Sequence, residues 1–442
     1  MAKTKLSGFP EFLPGERIVE RRVLRSLSRT FELHGFASIE TRALEPMASL
    51  ARKGEIDKEV YVVRRIHAAE GEPAEFGLHF DLTVPFARYV LENAGFLEFP
   101  FRRYQIQKAW RGERPQEGRF REFLQADVDI VGQGELAAHH DIELPLVMLD
   151  ALGRLHDDFG IPQVKMRVNN RKLSEGFYRG LGVDDPMAVL QRVDKLDKVG
   201  PEVVAKLLVD DLGMSAAAAD ACLALAKIKT EDTSFVEQVR ALGVENELLD
   251  QGLSELATVV EAIAEQAPGR IVADLSVARG LDYYTGTVYE TEMETLEHLG
   301  SICSGGRYDS LASDGKHTYP GVGLSIGVSR ILVPLLNKGI LHSSRVVPTC
   351  VLVAVDNEQT RRDSIRIATR LRERGISAEV APAASKYGKQ IKYADRRGIP
   401  FVWFGNSVKD IRSGEQVEAD PLTWTPPSAD LEPAVKAVGV VE

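Results

Sequence analysis

Cysteine is scarce. Three occur in 442 residues (Cys222, Cys303 and Cys350), far apart and never as C-x-x-C. That excludes a disulfide framework and a cysteine zinc site, and it suits a reducing compartment. No stretch approaches the roughly 20 apolar residues a bilayer span requires. The basic start, MAKTKLSGFPEFLPGER, leads into no apolar core of the kind a secretory signal carries, so a cytoplasmic protein without a membrane partner is expected. There is no G-x-x-x-x-G-K-[ST] loop, no G-x-G-x-x-G turn after a strand, and no H-E-x-x-H among the nine histidines. His139 and His140 stand side by side before Asp141, and a partly solvated pair is the plain reading of them. Internal repeats, low-complexity tracts and nucleophilic triad patterns are also missing.

What remains is ordinary globular material, 44% hydrophobic and 27% charged, long enough for two to four domains. The net charge of −10 is a poor start for a polyanion partner, but its distribution matters more. Pro201 to Glu265 holds 13 acids and 4 bases, whereas Arg361 to Arg397 holds 11 bases and 4 acids. A nucleic acid responds to the local field within about a Debye length, roughly 8 Å at physiological salt. A solvated helix face is the plain alternative for the basic stretch.

Apolar spacing predicts a helix from Arg17 to His34, closed by Gly35, then a short strand in FASIET. A β-rich body follows, with VYVVRRIH and ADVDIVG as strands and a helix in LTVPFARYVLENAG. Leu136 to Leu155 reads as a helix that Pro145 kinks or begins. The segment 185–266 is Ala- and Leu-rich without strand pattern and reads as a helical insertion. Strands resume at RIVADLSV, TGTVYETEM and GVGLSIGV. After a linker in RVVPT, strands alternate with helices (TCVLVAVD, Gln359 to Arg374, SAEVAP, KYGKQIKYADRRG, IPFVWFG), which implies a small parallel α/β unit. The division expected is 1–184, 185–266, 267–343 and 344–442.

Polar chemistry concentrates in FRRYQIQKAWRGERPQEGRFREFLQADVDIVG, which reads as strand, turn-rich loop, strand. Arg111, Arg114, Arg119 and Arg121 crowd the turn, and planar guanidinium forks suit phosphate oxygens. Gln125, Asp127 and Asp129 alternate, so they share one face of the returning strand. Such a face needs water or a ligand, although an exposed hairpin with solvated ion pairs is the plain alternative. DLTVP, from Asp81 to Pro85, offers an acid and a hydroxyl, or merely a helix cap. RGLDYYTGTVYE brings Arg279 with tandem tyrosines. In CSGGRYDSL, Gly305 and Gly306 let the backbone approach something flat, and Arg330 follows the glycine-studded GVGLSIGVSRI.

Together these segments resemble histidyl-tRNA synthetase, a class II aminoacyl-tRNA synthetase, over nearly the whole chain. WRGERPQEGRFREF with QADVDIVG resembles the family's motif 2, and RGLDYYTGTVYE and SGGRYD its two histidine motifs. GVGLSIGVSRI resembles motif 3, GFPEFLPGE through FELHGFASIETRALEP the opening and motif 1, and the tail the anticodon-binding domain. The DLT and DVDIVG forms look like eukaryotic and some actinobacterial members. The resemblance implies an α+β fold, with an antiparallel class II sheet flanked by helices, a helical insertion and a C-terminal α/β domain. It implies activation of histidine by ATP and transfer to tRNA(His) by a homodimer, with Mg2+ bridging phosphates and no protein side chain assigned to the metal.

On these positions the resemblance places Arg111 at the ATP α-phosphate and histidine carboxylate, with Arg279 stabilising charge beside it. Glu113 would meet the adenine, Phe123 would stack on it, Arg119 would line the ATP site, and Arg330 would hold the γ-phosphate. Asp81, Thr83 and Gln125 would receive the substrate ammonium. Asp129 and Tyr284 would read the imidazole, with Tyr283 beside them and Tyr308 closing the pocket. Lys389, Lys392 and Arg396 lie at helical spacing and would face the tRNA backbone. The alternative from another class is a non-catalytic regulatory paralogue of ATP phosphoribosyltransferase. That paralogue usually lacks the anticodon domain and the arginines, both present here. A class II enzyme for another amino acid does not fit the tandem tyrosines.

Overall fold

The computed structural model describes residues 6–50, 60–67, 71, 73–278 and 283–438. Its centre is a nine-stranded sheet. In chain order the strands are β1 (Ala37–Ser38), β2 (Phe101–Trp110), β3 (Glu122–Val131), β4 (Val164–Asn170), β5 (Lys229–Thr230), β6 (Ile271–Asp274), β7 (Thr287–Met293), β8 (Cys303–Ser313) and β9 (Thr318–Gly327). Their spatial order is β1-β2-β3-β9-β8-β7-β4-β6-β5. Pairing is antiparallel except for β1 on β2 and β4 on β6.

The first helix, Pro14–Leu33, buries Val19, Val23, Leu27 and Phe31, spaced four apart on one stripe. Gly35, at φ +79°, lets the chain turn away after it. The helix His140–Phe159 keeps Pro145 inside it. Proline has no N–H for the carbonyl four residues back. That carbonyl, on Asp141, instead accepts a hydrogen bond from the Tyr289 hydroxyl, so a partner outside the helix satisfies the group the proline leaves free. Both helices share one apolar core with Val128, Ile130, Val168, Val322 and Ile326, which lie on the face of the sheet opposite its polar residues.

Segment 185–266 is mainly helical, but one reading needs correction. Lys229–Thr230 is a strand, and it joins the main sheet as its edge β5. Apolar residues such as Leu208, Cys222 and Phe235 also belong to the same core as the sheet. The helices Arg171–Gly180 and Glu247–Gln266 pack at backbone distance. A Cβ on Gly176 would lie 2.2 Å from the Leu249 nitrogen, and one on Gly252 would lie 2.1 Å from that of Leu173.

The tail has parallel strands at Val351–Val353, Ala378–Val380 and Phe401–Phe404. The wholly parallel expectation is corrected, because Ser407–Asp410 and Gln416–Glu418 extend this sheet antiparallel. A clean start at 344 also needs correction. The last strand, Val435–Ala437, returns to pair with Leu341–Ser343, and Val435 is buried in the large core. Arg345 holds the returning segment through the carbonyls of Asp430 (2.9 Å) and Leu431 (3.2 Å). Among the described residues, no helix is long and apolar enough to cross a membrane.

Candidate active site

The site grows from strand alternation on three neighbouring strands. Gln125, Asp127 and Asp129 share the polar face of β3 and are all nearly buried. Across β2, Arg103 stands opposite Asp129 and Gln105 opposite Asp127. Across β9, Gly323 stands opposite Asp129 and Ser325 opposite Asp127. Gly323 is required where it stands, since a Cβ there would fall 2.0 Å from the Asp129 Oδ1. Gly305 and Gly306 are explained differently from the sequence reading. They admit the neighbouring backbone and the Tyr284 ring, so the flat object beside Gly306 is a side chain of the protein itself.

These strands floor a cavity of about 380 Å³. Arg111, Arg119 and Arg330 line it together with Glu113 and Phe123. Asp81, Thr83, Gln125, Tyr283 and Tyr284 also line it. A recess of about 30 Å³ shares Thr83, Tyr283, Tyr284 and Ser325 and adds Asp127, Asp129 and Tyr308. The residues expected from sequence for ATP and for histidine thus meet around one space. Arg279 lies outside the described residues. Arg114 is exposed at the hairpin and Arg121 Nε is bonded to the Glu113 carbonyl at 3.2 Å; neither lines the cavity. Lys389, Lys392 and Arg396 are exposed on the separate helix Tyr387–Arg396.

Local bonds fix the lining. Arg111 donates from Nε to the Phe80 carbonyl at 3.0 Å, and its guanidinium lies over the Phe123 ring at 5.1 Å. Arg330 is only partly buried, and its Nε donates to the Gly118 carbonyl at 2.9 Å, tying the helix Val328–Asn337 to the tip of the arginine hairpin. Asp81 precedes the helix Thr83–Asn93 and accepts from the Val84 N–H in its first turn at 3.0 Å, while still lining the cavity. At the recess, the Tyr308 hydroxyl donates to Asp129 Oδ1 at 2.6 Å, and Arg103 Nη2 pairs with Oδ2 at 2.6 Å. Tyr283 donates to the Tyr284 hydroxyl at 3.2 Å, with the two rings 4.4 Å apart.

Burial pushes the Asp127 carboxyl up to about 7. The nearby Arg103 opposes that shift, and the Asp129 and Asp81 carboxylates add to it. Burial likewise raises the Tyr308 phenol well above its usual range, so it stays a hydrogen-bond donor. Ser304, Ser325 and Arg103 are site residues to which sequence reading gave no role, and Asp127 was read only as a member of the polar face. The signal for Arg103 was available, because Arg103, Gln105 and Gln107 make a polar stripe on a central strand.

The family description "Histidyl-tRNA synthetase" matches residues 8–331, and "Anticodon binding domain" matches residues 349–404. The histidine–tRNA ligase of Cutibacterium acnes is 65% identical over 98% of this chain and 99% of its own length. The chain belongs to the histidyl-tRNA synthetase family. That of Micrococcus luteus is 59% identical, covering 98% of each chain. The crystal structure of histidyl-tRNA synthetase from Nostoc sp. PCC 7120 superposes with a TM-score of 0.83 at 33% identity, over 95% of this chain and 97% of that one. A Bacillus halodurans structure described as an ATP phosphoribosyltransferase regulatory subunit/histidyl-tRNA synthetase is 19% identical with a TM-score of 0.73, which shows a shared fold only. The chain is a histidine–tRNA ligase of class II.

Magnesium demands oxygen ligands and retains water readily. In the arginine-lined part of the cavity the described lining offers one carboxylate, Glu113, itself 3.5 Å from Arg119. The one cluster of three potential metal ligands found among the described residues, His139, His140 and Glu143, does not line the cavity. Its Glu143 is already bonded to Arg102 at 2.7 Å and to His140 at 2.8 Å.

Proposed function

We propose that the recess takes the imidazole of histidine, the Gln125 side of the cavity its ammonium, and the arginine-lined side the triphosphate of ATP. The observation that carries this reading is one continuous lining that joins Arg111 and Arg330 to a buried amide oxygen, Gln125 Oε1, which has no hydrogen-bond partner. An acceptor buried this way costs free energy until something donates to it, and an ammonium does so. Asp81 adds negative charge and Thr83 a hydroxyl.

The histidine carboxylate oxygen then attacks the α-phosphorus. A P–O bond forms, the bond to the bridging oxygen breaks, and pyrophosphate leaves with that electron pair. Two anions must approach, so fixed cations lower the barrier most. Arg111 supplies one, and Arg279 is proposed as a second. Arg330 and Arg119 hold outer phosphates, Glu113 meets the adenine edge, and Phe123 stacks on the base opposite Arg111. Mg2+ would be held by phosphate oxygens and water. Asp129 and Tyr284 meet the imidazole nitrogens, one of which donates and the other accepts. Analogues lacking them would leave buried polar groups unpaired and be rejected strongly.

A ribose hydroxyl at the end of tRNA(His) then attacks the carbonyl carbon of the adenylate, an ester bond forms, the anhydride bond breaks, and AMP leaves. Lys389, Lys392 and Arg396 would contact the tRNA backbone, and neutralising all three should flatten the salt dependence of tRNA binding. An unchanged slope would remove them from the interface. A homodimer in the cytoplasm is proposed as the working form. Leu13, Leu33, Leu44, Phe76 and Phe96, all within the first hundred residues, are exposed large apolar side chains that such an interface could cover. Sedimentation equilibrium tests the dimer directly.

Asp129→Ala tests the cavity assignment. The Michaelis constant for histidine should rise about a hundredfold or more with that for ATP little changed. Equal rises in both would contradict the division of the cavity.

A further inference from the structure

An amide side chain is ambiguous: it offers an acceptor at one end and two donors at the other, and a half-turn exchanges them. For Gln125 to receive an ammonium, its oxygen must face the cavity. Something has to choose that orientation, and the choice is made one strand away.

The Ser325 hydroxyl, on β9, donates to Asp127 Oδ1. A serine hydroxyl has a single proton, so once that proton is committed to the carboxyl oxygen, Oγ can only accept. Gln125 Nε2 donates to the same Oγ at 2.8 Å. The amide nitrogen is thereby fixed toward Ser325, and Oε1 is left buried and without a partner, on a residue that lines the cavity. The geometry supports this order of bonds, since Ser325 stands directly opposite Asp127 in the β3–β9 ladder and all three side chains share one face.

We infer that Ser325, held by Asp127, is a positioning residue that sets the Gln125 amide with its oxygen toward the substrate ammonium. The chain Asp127–Ser325–Gln125 selects for a donor ligand over an acceptor ligand at that spot. The inference rests on the reading of Gln125 as an ammonium contact. Removal of the hydroxyl frees the amide to turn, and its NH2 end then opposes a cation.

A double-mutant cycle in histidine-dependent ATP–pyrophosphate exchange tests this. Ser325→Ala should raise the Michaelis constant for histidine about tenfold, with smaller changes in kcat and in the constant for ATP. In a Gln125→Ala background the same substitution should add little, within about twofold, because the group it orients is gone. Circular dichroism and thermal melting establish that each variant is folded, and imidazolepropionate, which lacks the ammonium, should inhibit wild type and Ser325→Ala equally. Full additivity of the two substitutions, or no effect of Ser325→Ala while Gln125→Ala raises the constant, would overturn the positioning role alone. An unchanged histidine constant in Gln125→Ala would overturn the ammonium reading itself.

Discussion

Arg103 and Asp129 form an ion pair at 2.6 Å with side chains 0% and 4% exposed, from directly opposed positions on β2 and β3. Arg103 also lies over the Phe86 ring at 4.0 Å and donates to Gln105 at 3.3 Å. The acid that faces the recess is therefore gripped from behind. Asp127 lies two residues away on the same strand face, so this arginine is the counter-charge for a crowded acidic floor. Arg103→Met should cost about 3–5 kcal/mol, the usual penalty for stranding one partner of a buried pair. Adding Asp129→Leu should recover much of that loss. Urea denaturation of both variants measures it; a stable single variant would show that the pair contributes little.

Tyr308 holds the other oxygen of Asp129, at 2.6 Å, from β8. Tyr308→Phe keeps the ring and removes the donor. The Michaelis constant for histidine should rise about tenfold, while that for ATP stays within about twofold. Parallel rises would assign Tyr308 a structural role only.

Asp127 predicts a pH-dependent stability. Its folded value of about 7 lies above the roughly 3.9 of a free aspartate. The folded state therefore binds the proton more tightly than the unfolded chain. This contribution is complete below about pH 4 and is lost as pH rises through about 7. Asp127→Asn cannot ionise, so its melting temperature relative to wild type should climb by several degrees between pH 5 and pH 8. A constant offset across that range would contradict the assigned shift.

The returning C-terminal strand changes how the anticodon domain can be removed. Truncation at Val347 would take away Val435–Ala437, uncover Leu341 and cut the contact of Arg25 with Glu432 at 2.6 Å. The truncated protein should melt well below the full chain. A variant that deletes 347–427 and bridges the gap with a short flexible linker should retain histidine-dependent pyrophosphate exchange and lose most tRNA charging. Unimpaired charging would argue against the domain's role.

The sequence made the site more legible than its boundaries. Gln125, Asp127 and Asp129 were readable as one face because strand alternation is strict, and Arg111 and Arg330 stood out as charges beside glycines. The helix Pro14–Leu33 was readable from its apolar stripe and Gly35. Lys229–Thr230 was not, because two residues carry no periodicity and only the β6 partner makes them a strand. FASIET contributes only Ala37–Ser38 to the sheet for the same reason. Arg103 and Ser325 carry chemistry through partners 26 and 200 residues away, Asp129 and Gln125, and such pairings exist only once the sheet has assembled. The partner that satisfies the carbonyl freed by Pro145, Tyr289, lies 148 residues from it and was not legible in the sequence.

The most direct test of the account is pyrophosphate exchange by the full chain with each of the twenty amino acids in turn. Histidine alone should support ATP-dependent exchange, and Asp129→Ala should weaken that preference by raising the Michaelis constant for histidine about a hundredfold or more. Exchange supported equally by another amino acid, or selectivity for histidine undiminished in Asp129→Ala, would contradict the assignment of the recess to imidazole.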